Sequence, residues 1–302
     1  MIVPSFTFVS TANAVLRAGA RPVLADIEDR SLGLDPADVE RRMTPRTAAL
    51  LPVHYAGSAC EMTPLLELAS RHGLKVVEDA AQGLGASLDA HALGSLGDAG
   101  CFSFHETKNL TCGEGGALAL RDPAVATRAE IIREKGTNRS AFLRGEVDKY
   151  TWIAEGSSYV LSDVLAAILD AQLDKQAEIA ARRRRFATRY REELGPWASA
   201  HGARLPAQLP GRAVNDHIFY LLLPDAAAQA TCLRALHARG IGAAFHYVPL
   251  HSSPFGSSLG TGAGDFPVTE RIASTLVRLP LHPLLEDADV ARVIEAVRKS
   301  LG

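Results

Sequence analysis

Lys108 stands in the stretch Ser-Phe-His-Glu-Thr-Lys-Asn, residues 103 to 109. An apolar run, Ala-Gly-Cys-Phe-Ser-Phe, comes before it, and Leu-Thr-Cys-Gly-Glu-Gly-Gly, too rich in glycine for a helix, comes after. A second apolar run, Val76-Val77-Glu78-Asp79, ends in a carboxylate and continues into Ala80-Ala81-Gln82-Gly83. Both runs read as buried strands. In an open α/β sheet, ligands collect outside the carboxyl ends of the strands, so Asp79, Ser103 and Lys108 are expected to converge there. A lysine amine that is partly desolvated, here by Phe102 and Phe104, loses its proton more easily and becomes a nucleophile for carbonyl carbon. Pyridoxal phosphate needs such a set: a lysine for the Schiff base, a carboxylate to keep the pyridine nitrogen protonated, and donors for the phosphate. A lone lysine after a strand is more often a surface group. Its pairing with Asp79 and with Gly113, Gly115 and Gly116 reverses that balance.

The elements needed to hold these groups are legible around them. Strands are predicted over Pro22 to Ile27, Ala48 to His54, Lys75 to Asp79, Gly100 to Phe104 and Gly116 to Leu120, alternating with helices such as Asp35 to Met43 and Met62 to His72. Gly73 is placed to cap the latter in the left-handed conformation. A helix from Pro123 to Lys135 leads into residues 136 to 161, which are polar and aperiodic and read as a long functional loop. A long helix from Ser162 to Glu193 follows, ended by Gly195 and Pro196. The run Arg182 to Arg185 on it reads as a solvated face in preference to an anion patch. Beyond it, a strand over Asp216 to Leu223 and helices over Ala226 to Arg239 and Val290 to Leu301 predict a smaller α+β domain. The expected organisation is a large three-layer α/β/α domain over 1–195 with a mostly parallel sheet, and a small C-terminal domain over 196–302.

Composition excludes several classes. The chain has 302 residues, 47% of them hydrophobic, enough for a large core. Lys+Arg 32 against Asp+Glu 34 gives a net charge of -2, which argues against a nucleic-acid or membrane partner. Cys60, Cys101, Cys112 and Cys232 have neither disulfide density nor zinc-site spacing, so a reducing cytoplasm is expected and no metal. No apolar run is long enough to span a bilayer, and no signal peptide is read.

Five motifs in order carry a family resemblance: Phe6 to Asn13, Val53 to Gly57, Glu78 to Gly83, Cys101 to Asn109 and His246 to His251. Together they resemble the sugar-nucleotide aminotransferases of the fold type I pyridoxal-phosphate superfamily. Ile131 to Ser140 and Asp148 to Trp152 resemble the dTDP-4-amino-4,6-dideoxygalactose transaminases of enterobacterial common antigen synthesis within it. The resemblance implies an aspartate-aminotransferase-like fold, a homodimer with shared sites, glutamate as amino donor and a nucleotide sugar as acceptor. It makes Lys108 the Schiff-base lysine and Asp79 the partner of the ring nitrogen. Gln82 becomes a partner of the ring hydroxyl, Ser103 a phosphate ligand and Phe8 the aromatic that stacks on the ring. Where the family carries Gly-x-Asn-Tyr-Arg, this chain has Gly156-Ser157-Ser158-Tyr159-Val160, which places Ser158 at a phosphate position of the neighbouring subunit's site. Arg133, Lys135, Arg139, Arg144 and Lys149 are candidates for the nucleotide's pyrophosphate, with His246 and Tyr247 also near the substrate. The resemblance further implies a segment ahead of Ile2-Val3-Pro4 that supplies phosphate donors, so a chain without it is expected to bind cofactor weakly. A noncatalytic remnant and a related sugar dehydratase, in which histidine replaces the lysine, are the alternatives.

Overall fold

The computed structural model describes residues 1–260 and 265–301. Strands β1 (Ile2–Pro4), β2 (Val23–Ala25), β3 (Ala49–Leu50) and β4 (Lys75–Asp79) are followed by a small hairpin, β5 (Ser87–Leu88) and β6 (His91–Ala92), then by β7 (Ala99–Ser103) and β8 (Gly116–Leu120). The main sheet has the order β2-β1-β3-β4-β7-β8. All its pairings are parallel except β7 with β8. Its strands are short and apolar, and Ile2, Val3, Leu24 and Leu50 are fully buried. Burial on both faces is what parallel pairing demands.

The β4–β7 register sets Asp79 opposite Cys101, so Asp79 and Ser103 finish at the same end of the sheet. Helix Val9–Arg17 and helix Met62–His72 connect the strands, and Gly73 closes the second at φ 65°. Asp35 and Asp122 cap the helices Pro36–Arg42 and Pro123–Arg133 by accepting from Ala37 and Ala124 N–H groups.

The expected long helix differs from the structure. It breaks at Lys175 into Asp163–Asp174 and Gln176–Ala200, and the second piece runs straight through Gly195 and Pro196. An interior proline costs a helix about 3 kcal/mol. Here Leu194, Trp197 and Ala198 flank it and are buried with Leu236, Val290, Val293 and Val297, and that burial offsets the cost. The arginine run is also more than a solvated face: Arg183 is buried and donates to the carbonyls of Asp216, His217 and Leu281.

The C-terminal part holds β9 (Arg212–Ala213), which pairs with β5, and an antiparallel pair, β10 (Phe219–Leu222) and β11 (Leu276–Leu279). The strand expected from Asp216 starts only at Phe219. Asp216 sits at φ 50°, in the left-handed region that a strand excludes. β11 lies where no strand is predicted. The segment 136 to 161 is a folded excursion around the short helix Arg139–Leu143, tied by the Thr151 N–H to Asn138 Oδ1 at 2.8 Å and by Lys135 N–H to Ser157 O at 3.0 Å.

Candidate active site

A cleft of about 680 Å³ opens at the carboxyl ends of β4 and β7. Asp79, Gln82, Ser103, Lys108, Phe8, His246 and Tyr247 all line it. The parallel register delivers Asp79 and Ser103. Lys108 arrives on a tight turn after β7, closed by its own N–H to the His105 carbonyl at 2.9 Å. The chain then returns into β8 through Gly113 at φ 90°, a conformation that favours glycine.

Asp79 is oriented from two sides. Thr11 on the first helix donates to Oδ2 at 2.7 Å, and the Ala81 N–H donates to Oδ1 at 3.1 Å. Thr7 supports Thr11 at 2.9 Å. The neighbouring Glu78 points the other way and is fully buried. It accepts from His54 Nε2 at 2.8 Å and from the N–H groups of Gly94, Leu96 and Gly97. Burial pushes Glu78 up, but the His54 and backbone donors hold it below the usual carboxylate range. Two adjacent carboxylates at one strand end thus have separate tasks: Glu78 secures the loop, and Asp79 faces the cleft.

Among the described residues no group hydrogen-bonds the Lys108 amine. Burial, aided by Arg278, pushes its pKa below the usual lysine range against the pull of Asp79. Its neighbour Asn109 is fixed: Nδ2 donates to the Asn215 carbonyl at 3.0 Å, and Oδ1 accepts from His217 Nδ1 at 2.7 Å. Asn215 in turn donates to the carbonyls of Gln82 and Leu84. Its side chain sits so close to Gly57 that a Cβ there would lie 1.7 Å from Asn215 Oδ1. Glycine at 57 is therefore part of how the lysine turn is held.

Gln82 accepts from the Ala56 N–H at 2.7 Å and donates to Tyr247 Oη at 3.2 Å, which leaves one amide hydrogen for a ligand. The Tyr247 ring stacks on His246 at 4.0 Å. Phe8 lines the cleft and is 58% exposed.

Arg278, on β11, is the site residue that the sequence reading missed. Its guanidinium contacts His246 Nε2, its Nε is buried with no partner, and no carboxylate pairs with it among the described residues. His246 is accordingly neutral, donates from Nδ1 to Tyr55 Oη at 3.0 Å, and is pushed down to about 3 by burial and by Arg278. The only signal in sequence was one arginine in an otherwise apolar run, Leu-Val-Arg-Leu. Thr11 was also unmarked.

Six predicted residues lie outside this cleft. Ser158 is exposed and bridges Glu134. Arg133 and Arg139 sit 3.8 and 3.6 Å from Glu134. Arg144 is clamped by Glu130 at 3.0 Å and Glu146 at 2.7 Å, so its charge is already matched. Lys135 turns the chain at φ 64°, and Lys149 is exposed. Within one chain these groups do not meet the cleft.

The residues that do meet fit pyridoxal 5'-phosphate by their chemistry: a free, easily deprotonated amine, an oriented carboxylate, an exposed aromatic ring, and hydroxyl and amide donors. The comparisons agree. The profile of the DegT/DnrJ/EryC1/StrS aminotransferase family matches residues 1–298. The chain is 37% identical over 300 residues to the erythromycin biosynthesis protein EryC1 of Saccharopolyspora erythraea, covering 99% of this chain and 78% of that one. It is 35% identical over 305 residues to a UDP-N-acetyl-3-dehydro-alpha-D-glucosamine 3-aminotransferase of Acidithiobacillus ferrooxidans, covering 100% of this chain and 77% of that one. The crystal structure of the aminotransferase TlmJ from Streptoalloteichus hindustanus superposes with a TM-score of 0.89 at 34% identity, over 99% of this chain and 78% of that one. The chain therefore belongs to the DegT/DnrJ/EryC1/StrS aminotransferases, a family of pyridoxal-phosphate-dependent sugar aminotransferases.

Proposed function

We propose that the protein transfers an amino group from glutamate to C4 of a dTDP-4-keto-6-deoxyhexose, giving dTDP-4-amino-4,6-dideoxygalactose and 2-oxoglutarate. The transamination chemistry of this reading is supported by the pair Lys108 and Asp79 in one cleft, with the lysine amine unbonded and its pKa lowered by burial, and its sugar by the resemblance of Ile131 to Ser140 and Asp148 to Trp152. Bound there, pyridoxal 5'-phosphate supplies an electron sink for the carbanion left when a proton leaves the amino acid's α-carbon. Asp79 would hold positive charge at the cofactor's ring nitrogen, and the Lys108 amine would hold the cofactor at rest and, once free, take the proton from the amino donor's α-carbon and serve as acid–base group again with the keto sugar. Arg278, with no acid partner, supplies a fork for the donor's carboxylate. Phe8, Gln82 and Ser103 position the cofactor, and His246 and Tyr247 form the opposite wall.

A homodimer is part of the proposal. Trp152 (77% exposed), Val164 (71%), Ile168 (46%) and Leu173 (42%) leave apolar surface along the 136–161 excursion and helix Asp163–Asp174. A second copy seated there would bring Ser158 and the cations at 133, 135, 139 and 149 towards the partner's cleft. Among the described residues no helix is long and apolar enough to cross a membrane.

Product analysis tests the substrate. With glutamate and a panel of nucleotide keto sugars, the 4-keto-6-deoxy dTDP sugar should be aminated at C4, with 2-oxoglutarate released in equal amount. Amination at C3 or preference for a UDP sugar would replace the substrate while keeping the reaction class, and no amination of any sugar would favour a noncatalytic protein.

A further inference from the structure

A second cavity, of about 340 Å³, lies where the Tyr55–Gly57 turn, helix Gln176–Ala200 and segment 206–220 meet. Lys108, Asp79 and Arg278 do not line it. Four arginines do, Arg30, Arg184, Arg191 and Arg212, against a single carboxylate in the lining, Asp216. Arg212 is the most informative of them. Its side chain is only 7% exposed, and Nη2 is bonded to Glu61 at 2.5 Å, yet Nε and Nη1 are buried with no partner. Arg191 Nε is buried and unpartnered in the same way. The turn at Arg30, the helix and β9 thus bring four guanidinium groups to one cavity that offers them a single carboxylate, an excess of donors suited to an anion.

We propose that this cavity binds a phosphate group, free or carried on a small molecule. Guanidinium forks match phosphate oxygens, and a tetrahedral dianion can accept from three arginines at once where a single carboxylate cannot. The volume is at the lower end for small-ligand pockets, about 300 Å³ upwards, which leaves room for a short carbon skeleton beside the phosphate. The site is separate from the transamination reading, because the cavity uses none of the residues assigned to that chemistry.

The test is calorimetric titration of the cofactor-loaded protein with inorganic phosphate and, separately, with glycerol 3-phosphate, at constant ionic strength. One saturable site per chain is expected. Arg212→Gln and Arg191→Gln should each weaken it at least tenfold, and Arg278→Gln should leave it within about twofold, since interactions are additive only between separate sites. Tighter binding of glycerol 3-phosphate identifies a carried phosphate, and tighter binding of inorganic phosphate identifies the free ion. Should Arg212→Gln fail to fold, the partly exposed Arg191 carries the test alone. The proposal is overturned if neither probe gives saturable heat, or if binding survives Arg191→Gln and is lost in Arg278→Gln.

Discussion

The cleft and the 133–149 excursion both carry basic residues, and the contrast between them shows what makes a cation chemical. In the excursion, Arg144 lies between Glu130 and Glu146, and Arg133 and Arg139 share Glu134, mostly on the surface. In the cleft, Lys108 and Arg278 have no carboxylate hydrogen-bonded to them among the described residues, and burial works against the charge of the lysine. Charges matched by neighbours and water offer little to a ligand of their own chain. Charges left partly desolvated and unmatched are available to a ligand.

The largest effect that can break this contrast is at Lys108. Lys108→Ala should lower turnover by about 10⁴-fold or more, the upper end of what a positioned general base contributes, and Lys108→Arg should do no better because a guanidinium stays protonated. Steady-state assay of the purified variants checks this; substantial turnover in Lys108→Ala removes the lysine from the mechanism. Asp79→Asn keeps the shape but not the charge, and should cost ~10²- to 10³-fold in kcat, typical of one preorganised electrostatic group, with a smaller loss in cofactor affinity. Equal, mild losses in both would make Asp79 structural.

Arg278→Gln should raise KM for glutamate by ~10- to 100-fold, as expected for one lost charge-assisted carboxylate contact. The two cleft variants should also move the pH dependence of cofactor attachment in opposite directions. Arg278 disfavours the Lys108 cation, so its removal raises the lysine pKa and shifts the onset of attachment to higher pH. Asp79 favours the cation, so Asp79→Asn shifts that onset lower. Shifts in the same direction would mean that these charges do not govern the lysine.

Thr11→Val should be weaker, about fivefold in kcat, because Asp79 keeps its backbone donor while losing one of about 1 kcal/mol net. Arg144→Gln, in the excursion, should leave kcat/KM within about twofold, as exposed ion pairs contribute little. A larger loss there would show that the surface cations act in the site of a second subunit.

Much of the scaffold was legible because local signals agreed with tertiary ones. β4 and β8 and the helix Met62–His72 carry dense apolar periodicity and clear stops, and their bounds match. The helix through Gly195 and Pro196 was not legible, because burial of Leu194 and Trp197 overrides a local stop that sequence reads as final. Asp216 defeats a strand reading by a backbone angle that no side-chain pattern announces. In the site, Lys108 and Asp79 stood out because charge closes an apolar run. Thr11 and Arg278 did not, since a threonine in a helix and one arginine in a short strand acquire meaning only when the chain folds them onto the same cleft, far from Lys108 in sequence.

The central claim is that Lys108 is the amine poised for the cofactor. Incubating the purified protein with pyridoxal 5'-phosphate, reducing with borohydride and mapping the modified peptide tests it most directly. The account predicts one stable adduct per chain, on Lys108, formed more readily as pH rises and absent from Lys108→Ala. An adduct mainly on Lys135 or Lys149, or none on any lysine, would contradict it.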